Sequence, residues 1–219
     1  MKPKLLLTSA GIVPEIRDNF LALLTKKPAE NKVAFITTAA YGESNNPTWM
    51  EKDRELLQSC GIKQIEDLDL KDKTKKELKK ILKDKDIIYL NGGNTFYLLY
   101  WVRKSGFDQV LPSFLEKGSL YVGVSAGSYI ACPTIEQATW KHQDRNRIKI
   151  TEFTALNLVP FLITAHFEEK YRSIVDQAAK GTQYPIIALT DKQAVLVKGK
   201  SITLIGKSNK EFWNGFEES

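Results

Sequence analysis

Gly123-Val124-Ser125-Ala126-Gly127 places a serine between two glycines, directly after the apolar run Leu120-Tyr121-Val122. A hydroxyl is a weak nucleophile until a base takes its proton, so the surroundings decide what such a serine can do. A buried strand, then Gly-x-Ser-x-Gly, then a small-residue segment able to form a helix is the pattern of a nucleophile elbow. The flanking glycines keep a tight turn free of side-chain clashes. The helix that follows aims free N–H groups and its positive end at an anion formed beside Ser125. The same residues also fit an ordinary tight turn.

A second site has matching chemistry. Asp86-Ile87-Ile88-Tyr89-Leu90 reads as a buried strand and runs straight into Asn91-Gly92-Gly93-Asn94-Thr95. Two glycines at a strand end let backbone N–H groups approach a ligand closely. The structural alternative is a strand-to-helix turn capped by Asn94 or Thr95, and both can hold at once. Hydrolases with an elbow take one oxyanion donor from the residue after the serine and another from a separate glycine loop, roles open here to Ala126 and Gly93. The sequence has two histidines. His166 ends the apolar run 161–165 and precedes a helical stretch at 168–180, which suits either a base at a strand end or a helix cap. His142 stands in the polar loop Lys141-His142-Gln143-Asp144 and reads as a surface residue.

Four blocks taken together resemble the peptidase E family, the serine α-aspartyl dipeptidases, which also includes the cyanophycinases. They are Asn91-Gly92-Gly93-Asn94-Thr95-Phe96, Gly123 to Ser128, Ala131-Cys132-Pro133-Thr134-Ile135, and residues 155–161 leading to His166-Phe167. The resemblance runs from about residue 4 to about residue 206. It implies a class I glutamine-amidotransferase-like α/β fold, a three-layer sandwich around a mostly parallel sheet. It also implies cleavage of small peptides with Ser125 as nucleophile, His166 as base, and Gly93 and Ala126 as the oxyanion hole. The chain departs from the family at the acid, because the aspartate position of peptidase E falls on Trp140. Some relatives use a glutamate, which makes Glu136 the first candidate, with Asp144 and Glu152 as alternatives. The aspartyl preference does not carry over with that position altered. An esterase or amidase for a small acyl metabolite, or an impaired binding protein on the same scaffold, are the competing readings. A glutamine amidotransferase would need a cysteine where Ser125 stands.

Length and charge set the frame. The 219 residues are 42% hydrophobic with a net charge of +6, enough for one substantial core, so a single domain over 1–219 is expected. No metal or organic cofactor is called for; the expected partner is a small peptide, with no nucleic acid and no membrane. The lysine-rich stretch 71–85 carries the strongest positive charge, yet Leu78, Ile81 and Leu82 recur at helical spacing and Thr74-x-x-Glu77 is a capping box. It reads as an amphipathic helix with a solvated lysine face. The first apolar run, Leu5-Leu6-Leu7, is too short for a signal peptide. Cys60 and Cys132 lack metal or redox spacing and read as reduced core thiols in a cytoplasmic protein.

The elements that must position these residues alternate as an α/β fold requires. Strands are expected near 5–8, 33–37, 65–68, 87–90, 120–124, 161–165 and 186–189, with a closing hairpin, 194–198 with 202–205, turning at Gly199-Lys200. Helices are expected at 14–24, 47–59, 74–83, 95–104, 107–117 and 168–180.

Overall fold

The computed structural model describes residues 3–141 and 144–218, which form ten strands and eight α-helices. The strands are β1 (Lys4–Thr8), β2 (Lys32–Ile36), β3 (Gln64–Leu68), β4 (Ile87–Leu90), β5 (Leu120–Val124), β6 (Leu162–Thr164), β7 (Ile186–Ala188), β8 (Gln193–Lys198), β9 (Ser201–Gly206) and β10 (Glu211–Trp213). The helices are α1 (Arg17–Leu21), α2 (Thr38–Glu43), α3 (Thr48–Ser59), α4 (Lys75–Leu82), α5 (Thr95–Ser105), α6 (Phe107–Glu116), α7 (Ala126–Tyr129) and α8 (Arg172–Ala179). Among the described residues, no helix is long and apolar enough to cross a membrane.

Seven strands form the main sheet in the order β3-β2-β4-β5-β1-β8-β9. The pairs from β3 to β1 are parallel, and the β8–β9 hairpin adds an antiparallel edge. The inner parallel strands are largely apolar because both of their faces are covered, whereas edge strand β3, Gln-Ile-Glu-Asp-Leu, is mostly exposed. Successive side chains point to opposite faces. Leu5 and Leu7 join one core with Ala34, Ile36, Ile88 and Leu90, while Leu6 joins the other with Val33, Phe35, Ile87 and Tyr89. The first core is covered by α4 to α8, the second by α1 and α3. Each fully buried leucine, isoleucine or phenylalanine contributes about 1.5–3 kcal/mol.

The lysine-rich helix is α4. Thr74 accepts from the Glu77 N–H while the Glu77 carboxylate accepts from the Thr74 N–H, closing the expected capping box. Leu78 and Leu82 are buried, and the lysines line the exposed side. Cys60 and Cys132 are free and buried, and burial pushes the Cys132 thiol up to about 12.

One expectation about the sheet is corrected. The strands at 161–165 and 186–189 do not extend the main sheet; β6 and β7 pair in parallel in a second sheet of order β10-β7-β6. They are three residues each and pair with one another, and their apolar side chains join the core beside α7. The helix expected at 168–180 begins instead with a tight turn, Glu169–Tyr171, before α8. Near Glu136 the chain forms one isolated bridge, between Thr134 and Thr154. Helix α2 and strand β10 had no counterpart in the sequence reading.

Candidate active site

The carboxyl ends of the parallel strands converge on one cleft, where open α/β sheets gather their ligands. After β5 the chain turns sharply, and Ser125 takes φ 48° and ψ −105°, a conformation L-residues avoid. Such strain costs on the order of 1–3 kcal/mol and persists only where the surroundings fix it. The surroundings here are specific. The Ser125 N–H donates to Thr8 O at 3.0 Å, and Ser125 O accepts from the N–H groups of Ser128 and Tyr129, both at 2.9 Å. A Cβ at Gly123 would strike the Gly127 backbone, and one at Gly127 would strike Leu90 O, so both glycines are required by close approach.

His166 and Asp191 reach the serine from the small sheet. His166 Nε2 lies 3.1 Å from Ser125 Oγ, and His166 Nδ1 lies 2.6 Å from Asp191 Oδ1. The parallel register pairs Thr164 with Ala188, so the residues just beyond both strands emerge side by side. His166 sits at φ 53°. Its backbone is pinned on both sides: the Ala165 N–H donates to the Tyr129 hydroxyl at 3.1 Å, and the Phe167 N–H to Leu189 O at 2.9 Å. The Lys141 ammonium donates to Ala165 O, and burial lowers its pKa to about 8. Buried Ser9, beyond the end of β1, ties the two groups together. Its Oγ accepts the His166 N–H at 2.7 Å and donates to Asp191 Oδ1 at 2.9 Å. The hydrogen bond from the His166 ring, outweighing partial burial, holds the Asp191 carboxyl below the usual carboxylate range.

The carboxylate on His166 Nδ1 is therefore that of Asp191, and the expectation of Glu136 is corrected. Glu136 opens a tight turn, Glu136–Thr139, with its N–H on Thr134 Oγ1. Asp144 accepts from the Thr95 N–H at 2.9 Å, and burial raises its pKa. Glu152 meets Arg103 through its backbone carbonyl at 3.0 Å. His142 lies outside the described residues. The sequence did hold a signal for Asp191: Ile186-Ile187-Ala188-Leu189 is an apolar run ending at Thr190-Asp191, the same strand-end pattern that marked His166.

The second glycine turn faces the same cleft. Asn94 caps α5, its side chain accepting from the Tyr97 N–H at 2.9 Å. Gly93 has φ 141°, and a Cβ there would run into the Ala39 carbonyl. Among the described residues, no acceptor within the protein is recorded for the N–H groups of Gly93 or Ala126. The cleft has a volume of about 460 Å³; Ser125, His166, Asp191, Gly92 and Gly93 line it together with Trp49, Lys52, Asp53, Glu43 and Asp144. Burial raises Asp53 to about 7. A cavity of similar volume lies at the opposite strand edge, where Lys26 pairs with Asp86 and Lys32 with Asp84; no serine–histidine pair lies there.

A hydroxyl, an imidazole and a carboxylate in this order can pass a proton from oxygen to Nε2 while the carboxylate stabilises the cation. Comparison with known proteins points to a peptidase family. The model of peptidase family S51 matches residues 5–205. An uncharacterized peptidase of Listeria monocytogenes is 31% identical over 176 residues, which is 78% of this chain and 83% of its own. Peptidase E of Nostoc sp. is 28% identical over 198 residues, 86% of this chain and 76% of its own. The crystal structure of a candidate peptidase E from Listeria monocytogenes superposes with a TM-score of 0.81 at 27% identity, covering 95% of this chain and all of that one. A peptidase from an acI-B1 actinobacterium shares the fold, with a TM-score of 0.75 at 21% identity over all of this chain and 93% of its own. With a family match spanning residues 5–205, the chain belongs to peptidase family S51 and is a serine-type peptidase.

Proposed function

We propose that the chain hydrolyses small peptides through a nucleophile elbow at Ser125, with His166 as general base and Asp191 as the third member of the triad. The observation that carries this reading is the unbroken relay from Ser125 Oγ to His166 Nε2 at 3.1 Å and from His166 Nδ1 to Asp191 at 2.6 Å. His166 takes the hydroxyl proton as Ser125 attacks the peptide carbonyl, then hands it to the departing amine. Water, deprotonated by the same imidazole, releases the acyl group. The unengaged N–H groups of Gly93 and Ala126 hold the oxyanion, where losing one donor costs about 2.7–4 kcal/mol. The elbow between β5 and α7 and the parallel strand order also support the class I glutamine-amidotransferase-like fold.

The small-peptide substrate class is supported by the peptidase E name of the relatives and by a cleft of about 460 Å³, room for a few residues. The test joins a serine-directed fluorophosphonate probe, with the labelled peptide mapped, to a panel of dipeptides, longer peptides and acyl esters. Labelling at Ser125 with turnover of dipeptides is the expected result. Labelling elsewhere refutes the nucleophile, and turnover of esters alone refutes the substrate class.

A further inference from the structure

The turn carrying Gly92 and Gly93 has two glycines and so little stiffness of its own. Its ends are held by backbone: the Asn91 N–H donates to Ile36 O at 3.1 Å and the Asn94 N–H to Ala39 O at 2.9 Å. Side chains of α3 add two further holds. Trp49 Nε1 donates to Gly92 O at 3.3 Å, and Asp53 Oδ2 accepts from Asn91 Nδ2 at 2.7 Å. One turn of helix separates Trp49 from Asp53, so both project from the same face of α3 towards the glycines.

We propose that Asp53 and Trp49 are positioning residues that fix the Gly92–Gly93 peptide so that the Gly93 N–H is aimed at the reacting carbonyl. This inference rests on the reading of Gly93 as an oxyanion donor. In a trans peptide the carbonyl and the N–H that follows point in opposite directions. Anchoring Gly92 O on the indole therefore sets the direction of the Gly93 N–H. Asn91 is fully buried and Asp53 nearly so, and their bond locks the residue that leads into the turn. Gly11 is the counterpart on the far side, because a Cβ there would overlap Asp53 Oδ1. An apolar residue would fill the Asp53 position without the cost of dehydrating a carboxyl, so packing alone does not explain the aspartate. Its pKa, raised to about 7 by burial, reflects that cost.

An oxyanion donor acts in the transition state, so misaiming it lowers kcat and leaves KM nearly unchanged. Three variants separate positioning from mere structure. Trp49→Phe removes the indole N–H and keeps an aromatic ring. Asp53→Ala removes the acceptor. Asp53→Asn keeps an oxygen for Asn91. Expected are falls in kcat of about tenfold to a hundredfold for Trp49→Phe and Asp53→Ala, with KM within about threefold. Asp53→Asn should return to within about threefold of wild type, and the Trp49→Phe/Asp53→Ala double variant should stop near the 10²–10³-fold cost of one lost donor. Should Asp53→Ala fail to fold, Trp49→Phe decides the matter, since Trp49 is 37% exposed and an aromatic ring is kept while the N–H is lost. Wild-type kcat in folded Trp49→Phe, or a change in KM alone, overturns the inference. Full turnover in Ser125→Ala would instead overturn the catalytic reading beneath it, and the two failures are distinguishable in one set of assays.

Discussion

Asp191→Asn tests the relay at its most informative point. Both Ser9 Oγ–H and His166 Nδ1 meet the same oxygen, Asp191 Oδ1, at 2.9 and 2.6 Å. Ser9 already accepts the His166 N–H, so its hydroxyl proton is committed to that oxygen. In the asparagine variant Ser9 therefore selects the rotamer that puts the amide oxygen in the Oδ1 position, and the imidazole keeps its proton on Nδ1. The tautomer survives and only the charge is lost. A carboxylate and an imidazolium about 4 Å apart attract by about 1 kcal/mol in water and about 4 kcal/mol at an effective dielectric of about 20. The His166 and Asp191 side chains are 39% and 61% exposed, which puts the pair between those limits. The expected loss in kcat/KM is thus about a hundredfold, bounded by about fivefold and about a thousandfold.

Removing the Ser9 hydroxyl as well frees the amide to turn its NH2 towards Nδ1 and impose the wrong tautomer. The Ser9→Ala/Asp191→Asn double variant should then approach the roughly 10⁴-fold loss of a triad with an inverted imidazole. Steady-state kinetics on a dipeptide substrate, with melting temperatures as a folding control, read both numbers. Glu136→Gln is the internal comparison and should stay within about twofold, the ordinary range for a surface substitution. An Asp191→Asn enzyme as active as wild type, or a Glu136→Gln enzyme a hundredfold slower, would refute the assignment of the acid.

Ser125→Ala and His166→Ala should each abolish turnover with little change in melting, and the double variant should be no worse than either, because the members act as a unit; full additivity would show that they do not. Asp53 makes folding pH-dependent: its folded pKa of about 7 lies above the unfolded 3.8, so the native state holds a proton that the unfolded chain releases. The stability this contributes is complete below about pH 4 and is lost as pH rises to about 7, a total on the order of 4 kcal/mol. Tyr89, Asn91, Lys52 and His166 face this carboxyl. Urea melts of wild type and Asp53→Asn should therefore diverge across that window, with the variant gaining as pH rises, and parallel curves would contradict the buried carboxyl. Thr74→Ala, which opens the capping box of α4, should lower stability by about 1 kcal/mol; an unchanged denaturation midpoint would show the cap to be idle.

The sequence made the inner parallel strands legible because each is a largely apolar run ended by a turn, and helix α4 because its cap and its leucine spacing agree. Ser125, the Gly92–Gly93 turn and His166 were legible for a related reason: each is a chemically distinctive group at a strand end. What stayed hidden depends on pairing. Whether β6 joins the main sheet or a second one is decided by its partner β7, and three apolar residues carry no mark of partner choice. The carboxylate beside His166 was missed on the same account. Asp191 lies 25 residues past His166 in sequence, and the parallel register of β6 with β7, with Ser9 bonded to both, brings the two together. Strain is also silent in sequence, since nothing in Ala-His-Phe foretells φ 53° at His166.

The second sheet changes how the site must be understood. Ser125 and the glycine turn follow strands of the main sheet, His166 follows β6 of the small one, and Asp191 lies in the connection from β7 to main-sheet strand β8. The 3.1 Å contact between Ser125 and His166 is thus a distance between two sheets. Apolar packing of Leu162, Ile163, Ile186 and Ile187 onto the common core sets their separation but not their sliding, because such contacts have no direction. Direction comes from hydrogen bonds across the seam. The Tyr129 hydroxyl takes the Ala165 N–H, the Ser9 hydroxyl takes the His166 N–H, and Ser9 in turn holds Asp191. Tyr129 and Ser9 belong to the main-sheet side, so the imidazole is registered against the serine by the same layer that carries the serine. The placement of His166 against Ser125 thus rests on two buried hydroxyls, those of Tyr129 and Ser9.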